Sequence, residues 1–84
     1  MVPLERLSPG ETGFVGALHG GHRLISRLAS LGFTAGAPIT VIRNYGSGPI
    51  IVLVRGAQIA LGRGEANRIK VYRSEAESHA SSSS

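Results

Sequence analysis

The sequence contains no cysteine, no tryptophan and no aspartate. Without cysteine there is neither a disulfide nor a thiolate metal site, a usage that fits a reducing compartment. The remaining acids within the first 73 residues are the scattered Glu5, Glu11 and Glu65, and no histidine stands near any of them in sequence. No acid–base pair can be proposed from such a set, so the reading is a binding protein, not an enzyme. Aromatic residues are limited to Phe14, Phe33, Tyr45 and Tyr72, too few to line a groove for proline-rich peptides. Apolar runs are short: the longest, Pro49 to Val54, is bounded by Gly48 and Arg55, far below the roughly 20 residues needed to cross a bilayer. The N-terminus has no basic leader followed by an apolar core, so the expectation is a cytoplasmic protein that does not insert into a membrane.

What the chain does have is arginine. Eight arginines and one lysine face five glutamates, two of which, Glu75 and Glu77, lie in the serine-rich segment 74–84. Residues 1–73 are therefore more basic than the whole-chain charge of +4. A basic surplus suits nucleic acid, anionic lipid or an acidic protein face, and selects none of them. With 84 residues the chain supports one compact domain, and a core of that size supplies only about 3–5 kcal/mol, so support from a partner is expected.

The local pattern is mostly that of sheet. Ser8-Pro9-Gly10 marks a turn at the end of an initial loop from Leu4. Thr12 to Leu18 contains β-formers, but its glycines predict a bent strand with a bulge or a close backbone approach. Leu24, Leu28 and Leu31 repeat at helical spacing and predict a short helix over 23–31, closed by a left-handed Gly32 with Phe33 as its apolar contact. Pro38 to Arg43 and Pro49 to Val54 read as a hairpin around Asn44 to Gly48. Gln58 to Leu61 follows a Gly56-Ala57 turn, Gly62 to Asn67 is a turn or one helical turn, and Arg68 to Arg73 alternates as a half-buried strand. The run Ile50 to Val54 lacks strict alternation, so both of its faces are expected to be covered, one by the core and the other by a partner, by Phe33 or by the helix. Segment 74–84 has the composition of a disordered tail. The expected fold is all-β: a small, bent barrel of about five strands with one short helix.

The order Leu4-x-x-Leu7 with Gly10 and Gly13, then Arg27 to Val41, then Gly48 to Val52, then Ile59 to Val71 resembles the ferrous iron transport protein A (FeoA) family over residues 4–73. The resemblance implies an SH3-like barrel in the cytoplasm, acting in bacterial ferrous iron uptake. It implies as partner the cytoplasmic domain of the FeoB permease, which would recruit the protein to the inner face of the plasma membrane. The module also resembles the C-terminal domain of iron-dependent repressors, but no helix-turn-helix precedes it here.

Candidate contact residues follow from the helix and the last turn. Arg23, Ile25, Arg27 and Leu28, with Arg63 in the neighbouring loop, combine an apolar anchor with arginines, a composition enriched in interface hot spots. His19-Gly20-Gly21-His22 offers only two histidines, short of the three or four ligands of a zinc site. The expectation is therefore no metal and no cofactor, with a metal shared between two copies as the minority reading. A basic barrel that stacks nucleic acid on Tyr45 beside Arg43, Arg55 and Lys70 is a second functional class. Self-association through an unpaired edge strand is a third.

Overall fold

Residues 1–73 are described in the computed structural model; the predicted tail at 74–84 lies outside them. Alternating apolar residues build an antiparallel sheet from β1 (Val2–Pro3), β2 (Thr12–Leu18), β3 (Pro38–Arg43), β4 (Ile50–Val54), β5 (Ala57–Leu61) and β6 (Ile69–Arg73). The strand order is β1-β6-β2-β3-β4-β5. Two helices, α1 (His22–Ser30) and α2 (Arg63–Asn67), are inserted after β2 and β5. The sixth strand, β1, was not expected from sequence: it holds only two residues, which pair Val2 with Val71 and Pro3 with Lys70.

The glycines of β2 act as expected. The register with β6 shifts between Val15 and Ala17, a bulge at Gly16 that sharpens the local bend. Gly13 is the site of close approach, since a Cβ there would lie 3.0 Å from both Leu7 Cδ1 and the Tyr72 carbonyl oxygen. A second register shift, between Val41 and Arg43, bends β3 against β4.

The inner face of the sheet is closed by Ile39, Val41, Ile50, Val52, Val54, Leu61, Ile69 and Val71, all essentially inaccessible. Each such side chain contributes roughly 1.5–3 kcal/mol relative to exposure. The initial loop is more than a connector: Leu4–Arg6 forms a 3-10 turn, and Leu4 and Leu7 are both fully buried in the core. Within the chain the outer face of β4 is only partly covered. Its core face is Ile50, Val52 and Val54, while Ile51 is half-buried and Leu53 is 39% exposed on the outer side. Ordinary alternation holds, with aliphatic residues on both faces. Among the described residues no helix is long and apolar enough to cross a membrane.

Candidate partner-binding site

The helix α1 is fixed to the sheet by its C-terminal end. Gly32 N–H donates to the Ala29 carbonyl oxygen and Phe33 N–H to that of Leu28, both at 3.0 Å, with Gly32 at φ 108°. This is the paired-bond closure that a left-handed glycine permits. Leu28 and Phe33, joined by that closure, are both fully buried in the core, and Leu24 and Leu31 pack against the same cluster.

A second attachment, not foreseen from sequence, comes from the β4–β5 turn. That turn is Arg55-Gly56, between the paired Val54 and Ala57, one residue earlier than expected. Both turn residues have positive φ, 50° and 82°, the backbone of a tight two-residue hairpin loop. Arg55 reaches back to α1: its Nε–H donates to the Gly32 carbonyl oxygen at 3.3 Å and its Nη2 to Thr34 Oγ1 at 2.5 Å. A cation here also complements the partial negative charge at a helix C-terminus.

The residues of the expected contact set separate. Leu28 is 0% exposed and serves the core, so it offers no surface to a partner. Arg23 and Arg27 lie on one flank of α1 and Ile25 on the other, because residues two apart on a helix do not share a face. Arg23 is exposed. Arg27 forms an ion pair with Glu65 of α2, and Glu65 in turn accepts from the Gly62 N–H at 3.1 Å, capping that helix. Arg63 is held internally. Its Nη2 donates to Asn44 Oδ1 at 2.7 Å and its Nε to the Gly48 carbonyl oxygen at 3.1 Å. Asn44 Nδ2 donates to the carbonyl oxygens of Glu5 and Leu7 at 2.8 and 2.9 Å. Arg63 thus ties the β3–β4 loop to α2 and, through Asn44, to the 3-10 turn.

Ile25 opens onto a different feature. On the flank of α1 toward β2, Ile25 and Ala29 line an apolar cleft of about 410 Å³ whose other walls are Val15 to Leu18, Phe33, Thr34 and Ala35. Its lining includes the small residues Gly16, Ala17, Ala29 and Ala35, although the side-chain position of Gly16 is already taken by Met1 and Tyr72. The volume falls within the range of ligand-sized pockets, roughly 300–1,000 Å³, and matches the insertion of one or two large apolar side chains.

His19 and His22 are both exposed at the ends of the Gly20-Gly21 loop. Among the described residues no three His, Cys, Asp or Glu side chains come together to hold a metal ion. The residues suggested for nucleic acid are dispersed. Arg43 pairs with Ile51 near the start of β4, whereas Arg55 follows its last residue and is engaged with α1. Lys70 lies on β6, three strands from β4.

Comparison with known proteins places this geometry. A family model described as the FeoA domain matches residues 2–73. A Methanocaldococcus jannaschii protein, provisionally named Fe(2+) transport protein A, is 39% identical over 75 residues, 89% of this chain and 90% of its own length. The crystal structure of an iron uptake regulatory protein, FeoA, superposes with a TM-score of 0.81 at 42% identity, covering 86% of this chain and 96% of that one. Zinc-bound FeoA of Stenotrophomonas maltophilia, described as a procaryotic SH3 domain protein, gives 0.75 at 26% identity, covering 84% and 89%. The architecture is therefore SH3-like and all-β, as expected.

Proposed function

The chain belongs to the FeoA domain family, and from that premise we propose that it serves ferrous iron uptake by docking on the cytoplasmic region of the ferrous iron permease FeoB. The family is one of small accessory transport proteins, and the chain is not an enzyme. The protein acts in the cytoplasm and is held at the membrane by its partner.

The observation that carries this reading is the cleft between α1 and β2. An unfilled apolar cleft beside an anchored helix suits an inserted leucine, isoleucine or phenylalanine of a partner, the arrangement typical of a buried hot spot. Ile25 and Ala29 form the α1 wall, and Ile25 is its large apolar contact. Arg23, exposed on the opposite flank of the helix, lies outside the apolar contact and contributes to the approach of an acidic face.

Co-purification of the tagged chain with the cytoplasmic region of the permease tests this. Ile25→Asp abolishes retention while the fold survives, because Ile25 is only half-buried; Arg27→Glu leaves most of the retention intact. Full retention of Ile25→Asp removes the cleft from the account.

A further inference from the structure

The sheet ends at β5, and its unbonded backbone groups can be assigned from bonds two strands away. Gly10 donates its N–H to the Val41 carbonyl oxygen at 2.7 Å, and Val41 donates to that of Glu11 at 3.0 Å. Both backbone groups of Val41 therefore turn away from β4, so Val41 and Val52, which face each other, share no direct bonds. The groups of Val52 consequently point to β5, where its partner is Ile59. Because antiparallel pairs alternate, Ala57, Ile59 and Leu61 bond to β4, and the N–H and C=O of Gln58 and Ala60 point off the sheet. No hydrogen bond joins these groups to another of the described residues.

We propose that β5 pairs antiparallel with β5 of a second copy, about a two-fold axis at Ile59. Gln58 then faces the partner's Ala60 and Ala60 faces the partner's Gln58, so every outward group is bonded. Ile59 meets its counterpart as a pair without direct backbone bonds, the position at which side chains approach closest. Ile59 is half-buried against the core, and this contact covers its exposed part.

Charge argues for a second copy as the occupant. The chain's nine basic residues give it a net charge that opposes self-association in general, whereas β4 and β5 carry no ionisable side chain. Edge strands that stay single are usually guarded by lysine, proline or a bulge. β5 has none of these, whereas the opposite edge, β1, is two residues long and contains Pro3. A five-residue edge falls short of the roughly 1,200–2,000 Å² of a stable interface, so the association is weak, reversible and concentration-dependent.

Sedimentation of the full chain from micromolar to millimolar concentration tests the pairing, together with amide hydrogen exchange at both ends of the range. The expected result is an average mass rising toward twice the monomer, with Gln58 and Ala60 amides gaining protection only at high concentration. Ala60→Pro removes an outward N–H and no β4 bond, and it returns the mass to monomer. Gln58→Lys, which adds two like charges to the paired edge, does the same and decides the matter if the proline variant fails to fold. A monomer throughout, or an association that survives in the folded variants or is lost instead in Ile25→Asp, overturns the proposal.

Discussion

Arg55 adopts a left-handed backbone at φ 50° and its guanidinium donates to the carbonyl oxygen of Gly32, the residue that ends α1. The hairpin tip thereby holds the helix that forms one wall of the cleft. Arg55→Met keeps the unfavourable backbone and loses the bond and the charge, and costs about 1 kcal/mol for an exposed charge-assisted contact. Arg55→Gly also loses the contact but relieves a strained conformation of similar magnitude. Urea denaturation should therefore place Arg55→Gly close to the wild type and Arg55→Met below both.

Leu28 and Phe33 carry the attachment of α1 to the core. Leu28→Ala removes a fully buried side chain, at about 2–5 kcal/mol, comparable with the whole stability expected of so small a domain. Circular dichroism should find the variant largely unfolded at room temperature, and a cooperative transition close to that of the wild type would contradict this weighting of the core.

Asn44 joins three parts of the chain through Arg63, Glu5 and Leu7. Asn44→Ala leaves two carbonyl oxygens without their donor and is expected to cost about 1–2 kcal/mol. Arg63→Ala, whose contacts lie nearer solvent, costs about half as much. The same denaturation series separates them, and equal losses would mean that the side chains act only as a pair.

The ion pair of Arg27 and Glu65 is exposed, with the arginine side chain 54% accessible, so it contributes at most about 1 kcal/mol and less at high salt. Arg27→Gln should shift the midpoint only slightly, and that small shift should shrink further in molar salt. A large, salt-insensitive loss would show that the pair organises α2.

Much of this fold is legible in sequence because its signals are local. The Leu24, Leu28, Leu31 spacing with Gly32 and Phe33 gives the helix and its closure, and the glycines of Thr12 to Leu18 give the bulge and the close approach. Longer-range features left weaker marks. Leu4 and Leu7 are three apart in a 3-10 turn, a spacing that does not distinguish a buried turn from a loop. In β4 the outer Ile51 and Leu53 are as apolar as the inner residues, so composition hides an alternation that register reveals. The expected contact set mixes both flanks of a helix: Arg23 and Arg27 stand close to Ile25 in sequence, although 3.6 residues per turn sends them apart. The cleft has at most a faint sign in the small residues Ala17, Ala29 and Ala35, which line it only once β2 and α1 are set side by side. The reach of Arg55 to Gly32 spans 23 residues and had no local sign beyond an Arg-Gly pair between two strands.

The most direct test of docking at the cleft is an NMR titration of the labelled chain with the cytoplasmic region of the ferrous iron permease. The account predicts that the largest shift changes fall on Val15 to Leu18, Ile25, Ala29 and Phe33, and that Ala29→Leu, which fills the cleft, removes them. Changes concentrated on Arg23, Arg27 and α2, or binding undiminished in Ala29→Leu, would contradict it.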